Sequence, residues 1–183
     1  PPVTTGTGVA VGTGATQGGV SFGLVRGGTI TGTVTASASG APLQGVTAWV
    51  YNSSGAAIAN AATDASGIYT VAGLPPATYY VRTSNTSGYV DELFDNIPCP
   101  AGTCTPTSGT AIVLAGNQVT NTSFALETGG TITGTVTAAG SGALISGTTI
   151  YISSTGGWAT TATTDASGHY SRAGLPAGTY YVK

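Results

Sequence analysis

The 183-residue sequence has only 5% charged residues and a formal net charge of −2, so it lacks the basic surface that nucleic acids and anionic membranes bind. Its hydrophobic fraction of 40%, with nine Tyr, three Phe and two Trp, is sufficient for small folded cores and too high for a disordered tract. No apolar run approaches the roughly 20 residues that cross a bilayer, so we expect no membrane insertion in this segment.

The chain begins with Pro1 and not with Met, and nothing in it resembles a basic n-region followed by an apolar h-region, so we expect it to be a processed or excerpted piece of a longer protein. The glycine-rich residues 12–18 superficially suggest a phosphate-binding loop. Neither a helical pattern nor a Lys follows them, however, and a turn is the better interpretation.

An internal repeat organises the chain. The decapeptide GGTITGTVTA occupies residues 27–36 and recurs unchanged 102 residues later, at 129–138. The match extends upstream, where SFGL at 21–24 corresponds to SFAL at 123–126. We therefore predict three parts: the C-terminal strands of a preceding, partial module at 1–26, a complete module at 27–126, and the N-terminal part of a following module at 127–183, completed by the next copy or by the continuing chain.

Strict alternation predicts the strands. In residues 29–35 every second residue is Thr, and the intervening Ile30, Gly32 and Val34 are predicted to face inward. No segment has a convincing helical period. Similar alternation occurs at 46–50, 79–81, 112–114 and 124–126, and turn signals lie at 52–55, 64–67, 73–76 and 116–117. Short strands at this spacing predict an all-β sandwich of about seven strands per module.

The segment 91–104 contains an acidic cluster and both cysteines. Asp91, Glu92 and Asp95 are interpreted by default as solvated loop carboxylates, with a metal or partner site as the weaker alternative. Cys99 and Cys104 are separated by four residues, a spacing that fits neither a redox pair nor a zinc knuckle. We therefore predict a local disulfide, which would place the protein outside the cytosol.

Sequons and outward-facing threonines are candidate sites for covalent glycans. Thr is so common in this chain that some sequons are expected by chance. A glycosylated surface would nevertheless explain how a protein with so little charge stays soluble. The candidates are Asn52, Asn85 and Asn121 for N-linked sugar, and Thr29, Thr31, Thr33 and Thr35 for O-linked sugar.

The sequence gives little support for a catalytic function. His169 is the only histidine, and its counterpart in the complete module is Ile68, so an ordinary strand position is favoured over a catalytic or metal-binding role. Asp64 and Asp165 recur in Asp-Ala-Ser-Gly turns, where one carboxylate each is too few for calcium and a side chain that caps its own turn is expected. We predict no enzymatic activity and no cofactor.

The motifs at 28–34, 42–46, 63–69 and 73–79 resemble, in that order, those of the carboxypeptidase regulatory-like domains of bacterial secreted proteins. That family shares the transthyretin-like (prealbumin) sandwich with the Cna-type B repeats of surface adhesins. The resemblance implies tandem Ig-like or transthyretin-like sandwiches in an extracellular protein that spaces, stiffens or binds. The Lys–Asn isopeptide bond of some Cna-type repeats is not expected, because Arg82 stands where the following module has Lys183.

These observations predict a secreted, structural protein of the bacterial cell surface, in which tandem sandwiches form a fibre, filament or stalk. Its partners would be copies of itself, head to tail, joined either by one continuous chain or by strand complementation between subunits. The alternative is a glycan- or surface-binding accessory module of a secreted enzyme or adhesin. In that case Trp49, Tyr51 and Trp158 would form a face on which sugars stack.

Overall fold

Strands account for nearly all the regular structure of the chain. A computed structural model describes residues 7–157 and 159–183, with side chains at all of these positions except 101. Within these ranges, no helix has both the length and the apolar character needed to cross a membrane.

Ten strands form the first sandwich. They are β1 (Gly28–Ala36), β2 (Thr47–Asn52), β3 (Ala57–Ala62), β4 (Ile68–Leu74), β5 (Ala77–Ser84), β6 (Glu92–Leu93), β7 (Ile97–Pro98), β8 (Ile112–Leu114), β9 (Val119–Asn121) and β10 (Phe124–Leu126). Short 3-10 helices at Pro100–Gly102 and Pro106–Ser108 lie between β7 and β8.

Two sheets pack face to face in this sandwich. In the first sheet, β1 pairs antiparallel with β4 on one side and parallel with β9 and then β10 on the other. In the second, β2 lies between β3 and β5, and β5 pairs with β8 and β6 along its outer edge. Because β9 and β10 follow one another along the same edge of β1, we count them as one strand. Leaving out β6 and β7, which are two-residue additions, the sandwich has seven principal strands. The predicted fold class is confirmed.

The core forms from the inward faces of both sheets. Ile30 and Val34 are fully buried, as alternation predicts, and the intervening threonines are only partly exposed because β1 has neighbours on both sides. Gly32 leaves room for the Tyr69 hydroxyl, which donates to the Thr122 carbonyl at 2.5 Å. The other buried core residues are Val46, Ala48, Val50, Val71, Leu74, Tyr79, Val81, Ile112, Leu114, Phe124 and Leu126.

The second sandwich repeats the first half of this architecture. Its strands are β11 (Gly130–Thr135), β12 (Thr149–Ser154), β13 (Ala159–Thr163), β14 (His169–Leu175) and β15 (Tyr180–Val182). The pairing of β11 with β14 reproduces that of β1 with β4, including the register shift between the first and third residues of the strand. Within the described residues, β14 is the only strand that pairs with β11, so its other edge is open.

The open edge changes burial in the second sandwich. Ile132 and Tyr170 are half-buried, whereas their counterparts Ile30 and Tyr69 are almost completely buried. At the other end of the described chain, residues 7–26 form no strand and are exposed almost throughout, with Phe22 83% and Leu24 92% exposed. Residues 1–6 of the predicted preceding module lie outside the described part.

Candidate functional site at the joint between two sandwiches

The segment that connects the two sandwiches is paired with a loop of the first. The Val90 N–H donates to the Glu127 carbonyl and the Gly129 N–H donates to the Gly88 carbonyl, both at 2.8 Å. Gly174 of the second sandwich has a φ of +71°, and a Cβ there would lie 2.9 Å from the Tyr89 carbonyl oxygen. Backbone bonds and close packing therefore fix this joint.

Asn85 shapes the loop on the first sandwich's side of the joint. Its Oδ1 accepts from the N–H groups of Ser87 and Tyr89, and its Nδ2 donates to the Tyr89 carbonyl at 3.0 Å and to Asp91 Oδ1 at 2.7 Å. This is an Asx-type turn, in which the side chain replaces backbone partners. The loop and Arg172 of the second sandwich line a polar cavity of about 270 Å³.

Two carboxylates beside this loop are buried, which corrects the interpretation of Asp91 and Glu92 as solvated. Asp91 is 7% exposed and Glu92 is 5% exposed. Glu92 lies on the two-residue strand β6, where its N–H donates to the buried hydroxyl of Thr83 at 2.8 Å. Asp95 is exposed, as predicted, and accepts a hydrogen bond from Thr110.

Burial dominates the electrostatics of both carboxyls, because desolvation disfavours the charged form. It raises the pKa of Asp91 to about 6, although the hydrogen bond from Asn85 and the charges of Arg82 and Arg172 act in the opposite direction. The pKa of Glu92 rises to about 7, because burial is reinforced by the negative charges of Glu127 and Asp91.

The predicted disulfide between Cys99 and Cys104 is present, with a Cα–Cα distance of 5.2 Å. It closes a small loop that is tied to the joint, because the Cys99 N–H donates to the Asp91 carbonyl at 2.6 Å. Arg82 donates from the other side to the Gly102 carbonyl at 2.8 Å. The disulfide loop therefore braces the segment 91–93, which contains both buried carboxylates.

The predicted sugar-stacking face does not form as proposed. Tyr51 is 7% exposed, and the guanidinium of Arg82 lies over its ring, 5.5 Å from the centroid. A register shift between Val50 and Tyr51 interrupts the alternation of β2, so both residues are buried. Trp49 is half-buried, and Trp158 lies outside the described residues.

The glycosylation candidates differ in accessibility, and their modification stays a prediction. Asn121 is exposed, whereas Asn52 and Asn85 are half-buried, and the Asn85 amide already donates two hydrogen bonds. The four candidate threonines of β1 are half-buried. Thr31 and Thr35 each donate to a backbone carbonyl of a neighbouring strand, while Thr29 and Thr33 have no such bond among the described contacts.

Among the residues that the structure describes, no group of three or more His, Cys, Asp or Glu could hold a metal ion, so Asp91, Glu92 and Asp95 are not a shared metal site. The turn aspartates cap their own turns as predicted. Asp64 accepts from the N–H groups of Ser66 and Ile68, and Asp165 accepts equivalent bonds in the second sandwich.

Sequence reasoning missed the part that the second sandwich plays in the joint. Arg172 stands where the complete module has Val71, and Glu127 stands where the first partial module has Val25. Each is a charged residue at a position that is apolar in another copy. Comparing the copies residue by residue would have indicated that these positions differ in environment.

The comparisons with known proteins agree with this architecture. The model of the carboxypeptidase regulatory-like domain matches residues 29–127 and again residues 131–183. The chain belongs to the carboxypeptidase regulatory-like domain family. The resemblance predicted from the motifs is thereby confirmed, and the joint described above lies between two matches to that family. No curated protein sequence matches the chain.

Several solved structures are similar to these carboxypeptidase regulatory-like domains. The Bacillus anthracis TIE protein is 20% identical, with 86% of this chain and 28% of that chain covered and a TM-score of 0.42. A streptococcal ancillary pilin is 16% identical, with 86% and 53% covered and a TM-score of 0.43. The shaft pilin SpaA from Lactobacillus rhamnosus GG is 16% identical, with 87% and 86% covered and a TM-score of 0.34. The chain spans less than two thirds of the first two proteins.

Proposed function

We propose that the chain is a structural, non-enzymatic segment of an extracellular fibre, filament or stalk, built from sandwiches that complete one another head to tail. The observation that carries the proposal is the open edge of β11. The six residues of β11 are identical to the first six of β1. In the first sandwich, β9 and β10 cover the corresponding edge of β1. Residues 7–26 carry exposed apolar side chains in the order that β10 has them.

The first sandwich supplies the register for this completion. There, Val34 pairs with Phe124 and Thr35 with Ala125 in a parallel ladder. Shifting all four positions by the repeat length of 102 residues pairs Val136 with Phe22 and Thr137 with Gly23. The exposed Phe22 and Leu24 would then occupy the places of Phe124 and Leu126, which are 3% and 0% exposed.

Burial of those two side chains is the driving force. A fully buried Phe or Leu contributes about 1.5–3 kcal/mol relative to an exposed one. The added strand would also satisfy the N–H and C=O groups of the open edge, as in other cases of strand addition. In the first sandwich the Thr33 N–H donates to Ser123 Oγ at 3.0 Å, and Thr135 with Ser21 would form the equivalent bond.

The joint supports a structural role, because a fibre transmits force only if consecutive units are fixed to each other. The paired segment at 88–90 and 127–129, the close packing of Gly174 on Tyr89 and the disulfide loop provide such fixation. The disulfide also supports an extracellular location at the cell surface, where such bonds persist.

Disulfide trapping tests the register. In the variant with Gly23→Cys and Thr137→Cys, the two new thiols lie opposite each other in the proposed ladder. Mild oxidation is expected to yield a ladder of covalent oligomers on non-reducing gels. The matched control, Gly23→Cys with Thr133→Cys, is four residues out of register and should remain largely monomeric. If both variants cross-link equally, or if neither does, the proposed pairing is wrong.

The same completion could be supplied by a continuing chain or by a second subunit. Denaturing electrophoresis of the native material distinguishes these routes, because one continuous covalent array migrates as a single very large band. Subunits that complete one another by strand donation separate into small monomers.

We further propose that the threonine-rich surface carries covalent glycans. The low charge of the chain supports this, since few ionic groups are available to keep a long array in solution. Intact-mass measurement of native material is expected to exceed the polypeptide mass in steps of one sugar. A mass equal to that of the bare polypeptide would contradict the proposed glycosylation.

A further inference from the structure

Residues 7–26 form a two-armed clasp. A turn at 12–15, closed by a hydrogen bond from the Ala15 N–H to the Gly12 carbonyl at 3.1 Å, separates a first arm from a second. Among the described residues this is the only backbone hydrogen bond within the segment, so the arms are not paired with each other as a hairpin. They face each other across a cleft of about 780 Å³, and its apolar lining comes from both arms: Val9, Ala10, Val20 and Phe22.

The two arms repeat strands that belong to different sheets of the first sandwich. There β8 pairs with β5 in the second sheet, whereas β9 and β10 pair with β1 in the first. The second arm matches β9 and β10 at the repeat length of 102 residues. The first arm, at 9–11, matches Ile112–Leu114 of β8 at 103 residues, because the turn at 12–16 is one residue longer than the turn at 115–118.

The first arm has the alternation that a strand in the place of β8 requires. In β8 the side chains of Ile112 and Leu114 are buried, and Val113 between them is exposed. Val9 and Val11 occupy the matching positions and are 48% and 62% exposed. Exposed apolar side chains with the spacing of a buried strand face indicate a strand that lacks its sheet.

The second sandwich has an open edge in each of its sheets. Besides the edge of β11, one edge of β15 is open, because β12 is the only strand that pairs with β15 in the described part of the chain. In the first sandwich, β8 covers the corresponding edge of β5. Tyr180 of β15 is accordingly half-buried, whereas its counterpart Tyr79 is buried. The four-residue turn between β8 and β9 shows that both edges lie on the same side of a sandwich.

We propose that the clasp of a second copy of this chain receives the open side of the second sandwich between its arms and adds a strand to both sheets. The inference rests on the proposed function and extends it, since the strand that covers β11 is only one of the two arms. In the first sandwich Thr78 pairs with Val113, so Thr179 would pair with Ala10 of the first arm. The cleft between the arms would then hold apolar core residues of the second sandwich.

The position of the clasp indicates that it serves another copy and not its own chain. Gly116 packs against the Arg26 carbonyl, so the clasp leaves the first sandwich at the end where β1 begins. The connecting segment at 127–129 lies beside the end of β1, which is nine residues or about 27 Å away. Leu24 stays within about 7 Å of Arg26 even in an extended chain. Its proposed neighbour, Ala138, follows β11 on the far side of the joint.

Disulfide trapping of the first arm tests the clasp separately from the second arm. In the full chain with Ala10→Cys and Thr179→Cys, the new thiols lie opposite each other on the outer faces of the proposed strands, so mild oxidation should yield a ladder of covalent oligomers. The matched control combines Ala10→Cys with Thr161→Cys. Thr161 is an equally exposed threonine on β13, at the other edge of the same sheet, so this variant should remain largely monomeric. The second-arm pair, Gly23→Cys with Thr137→Cys, is oxidised in parallel.

The clasp requires both arms to cross-link. If the second-arm pair forms the ladder and the first-arm pair cross-links no better than its control, the clasp is wrong while the head-to-tail function stands. If neither pair forms a ladder, the clasp and the proposed function both fail. A ladder from the first arm alone would overturn the clasp together with the register given for the second arm.

Sedimentation of the cysteine-free chain variants gives a second readout. Val11→Asp should weaken self-association at least about tenfold, because the carboxylate would be buried in the joined core. The matched control is Ala10→Asp, which places the same charge on the outward face of the same arm and should associate like the parent. Both positions are exposed in the unjoined chain, so folding of the two sandwiches should be unaffected. Equal association by Val11→Asp and the parent, or an equal loss in Ala10→Asp, would overturn the clasp.

Discussion

Replacing Gly32 by alanine is expected to destabilise the first sandwich by about 3 kcal/mol or more, a large part of the stability of a small domain. A Cβ at this position would lie 2.1 Å from the Thr122 carbonyl oxygen and 3.0 Å from the Tyr69 ring. The Thr122 carbonyl is backbone and is held by the parallel pairing of β9 and β10 with β1. Relief of the clash would therefore break the buried hydrogen bond between Tyr69 and Thr122.

The second sandwich provides the matched control. Gly134 occupies the same place in β11, but a Cβ there meets only the ring and hydroxyl of Tyr170, at 2.6–2.7 Å. That ring is half-buried, and it can turn away because no strand covers the open edge. We expect Gly134→Ala to cost less than about 1 kcal/mol in a dilute, unjoined chain.

Urea denaturation followed by circular dichroism compares the two variants in the same chain. A cost below about 1 kcal/mol for Gly32→Ala, or a larger cost for Gly134→Ala, would contradict the account of Gly32.

The comparison of these two variants also tests assembly. Once residues 17–24 of another copy or a continuing chain cover β11, Gly134→Ala should clash with the added strand, so it should suppress the cross-linked ladder.

The repeat and the period-two alternation were sufficient to predict the sandwich and several of its strands, although residues 7–26, where the repeat predicts strands of a preceding module, form none. They succeed because each strand has one face in a core, and burial of Ile30 and Val34 requires threonines on the other face. The capping role of Asp64 and Asp165 was equally predictable, since it depends on residues two and four positions further along the chain. Local signals thus determine most of the fold.

The burial of Asp91 and Glu92 was not predictable in this way. Carboxylates between strands are normally solvated, and here the burial results from contacts with Thr83, the disulfide loop and the connecting segment. The prediction that Tyr51 lies on an exposed face was wrong for a related reason. Only the register shift in β2 and the position of Arg82 on β5 remove its ring from solvent, and neither can be predicted from the local sequence.

The buried carboxyls should make the protein more stable in mild acid than in mild alkali. Because the pKa of Glu92 is about 7 in the folded state and near 4.5 for an unperturbed Glu, the folded protein binds the proton more tightly between these values. This contribution is complete below about pH 4.5 and is lost as the pH rises towards 7. Asp91 adds a similar loss between about pH 4 and 6, for the same reason.

Glu92→Gln isolates the larger share of this effect. The neutral amide cannot ionise, so we expect the variant to be about 2 kcal/mol more stable than the parent at pH 8, allowing for partial screening by solvent. At pH 4.5 the two proteins should be nearly equal in stability, because Glu92 is then protonated in the parent. Urea unfolding at both pH values measures the difference.

Asp95→Asn serves as the control, because it removes an exposed acid with the same change in charge. A parent whose stability does not fall between pH 4.5 and 8, or a Glu92→Gln variant that is less stable at pH 8, would contradict the burial of an unpaired carboxyl.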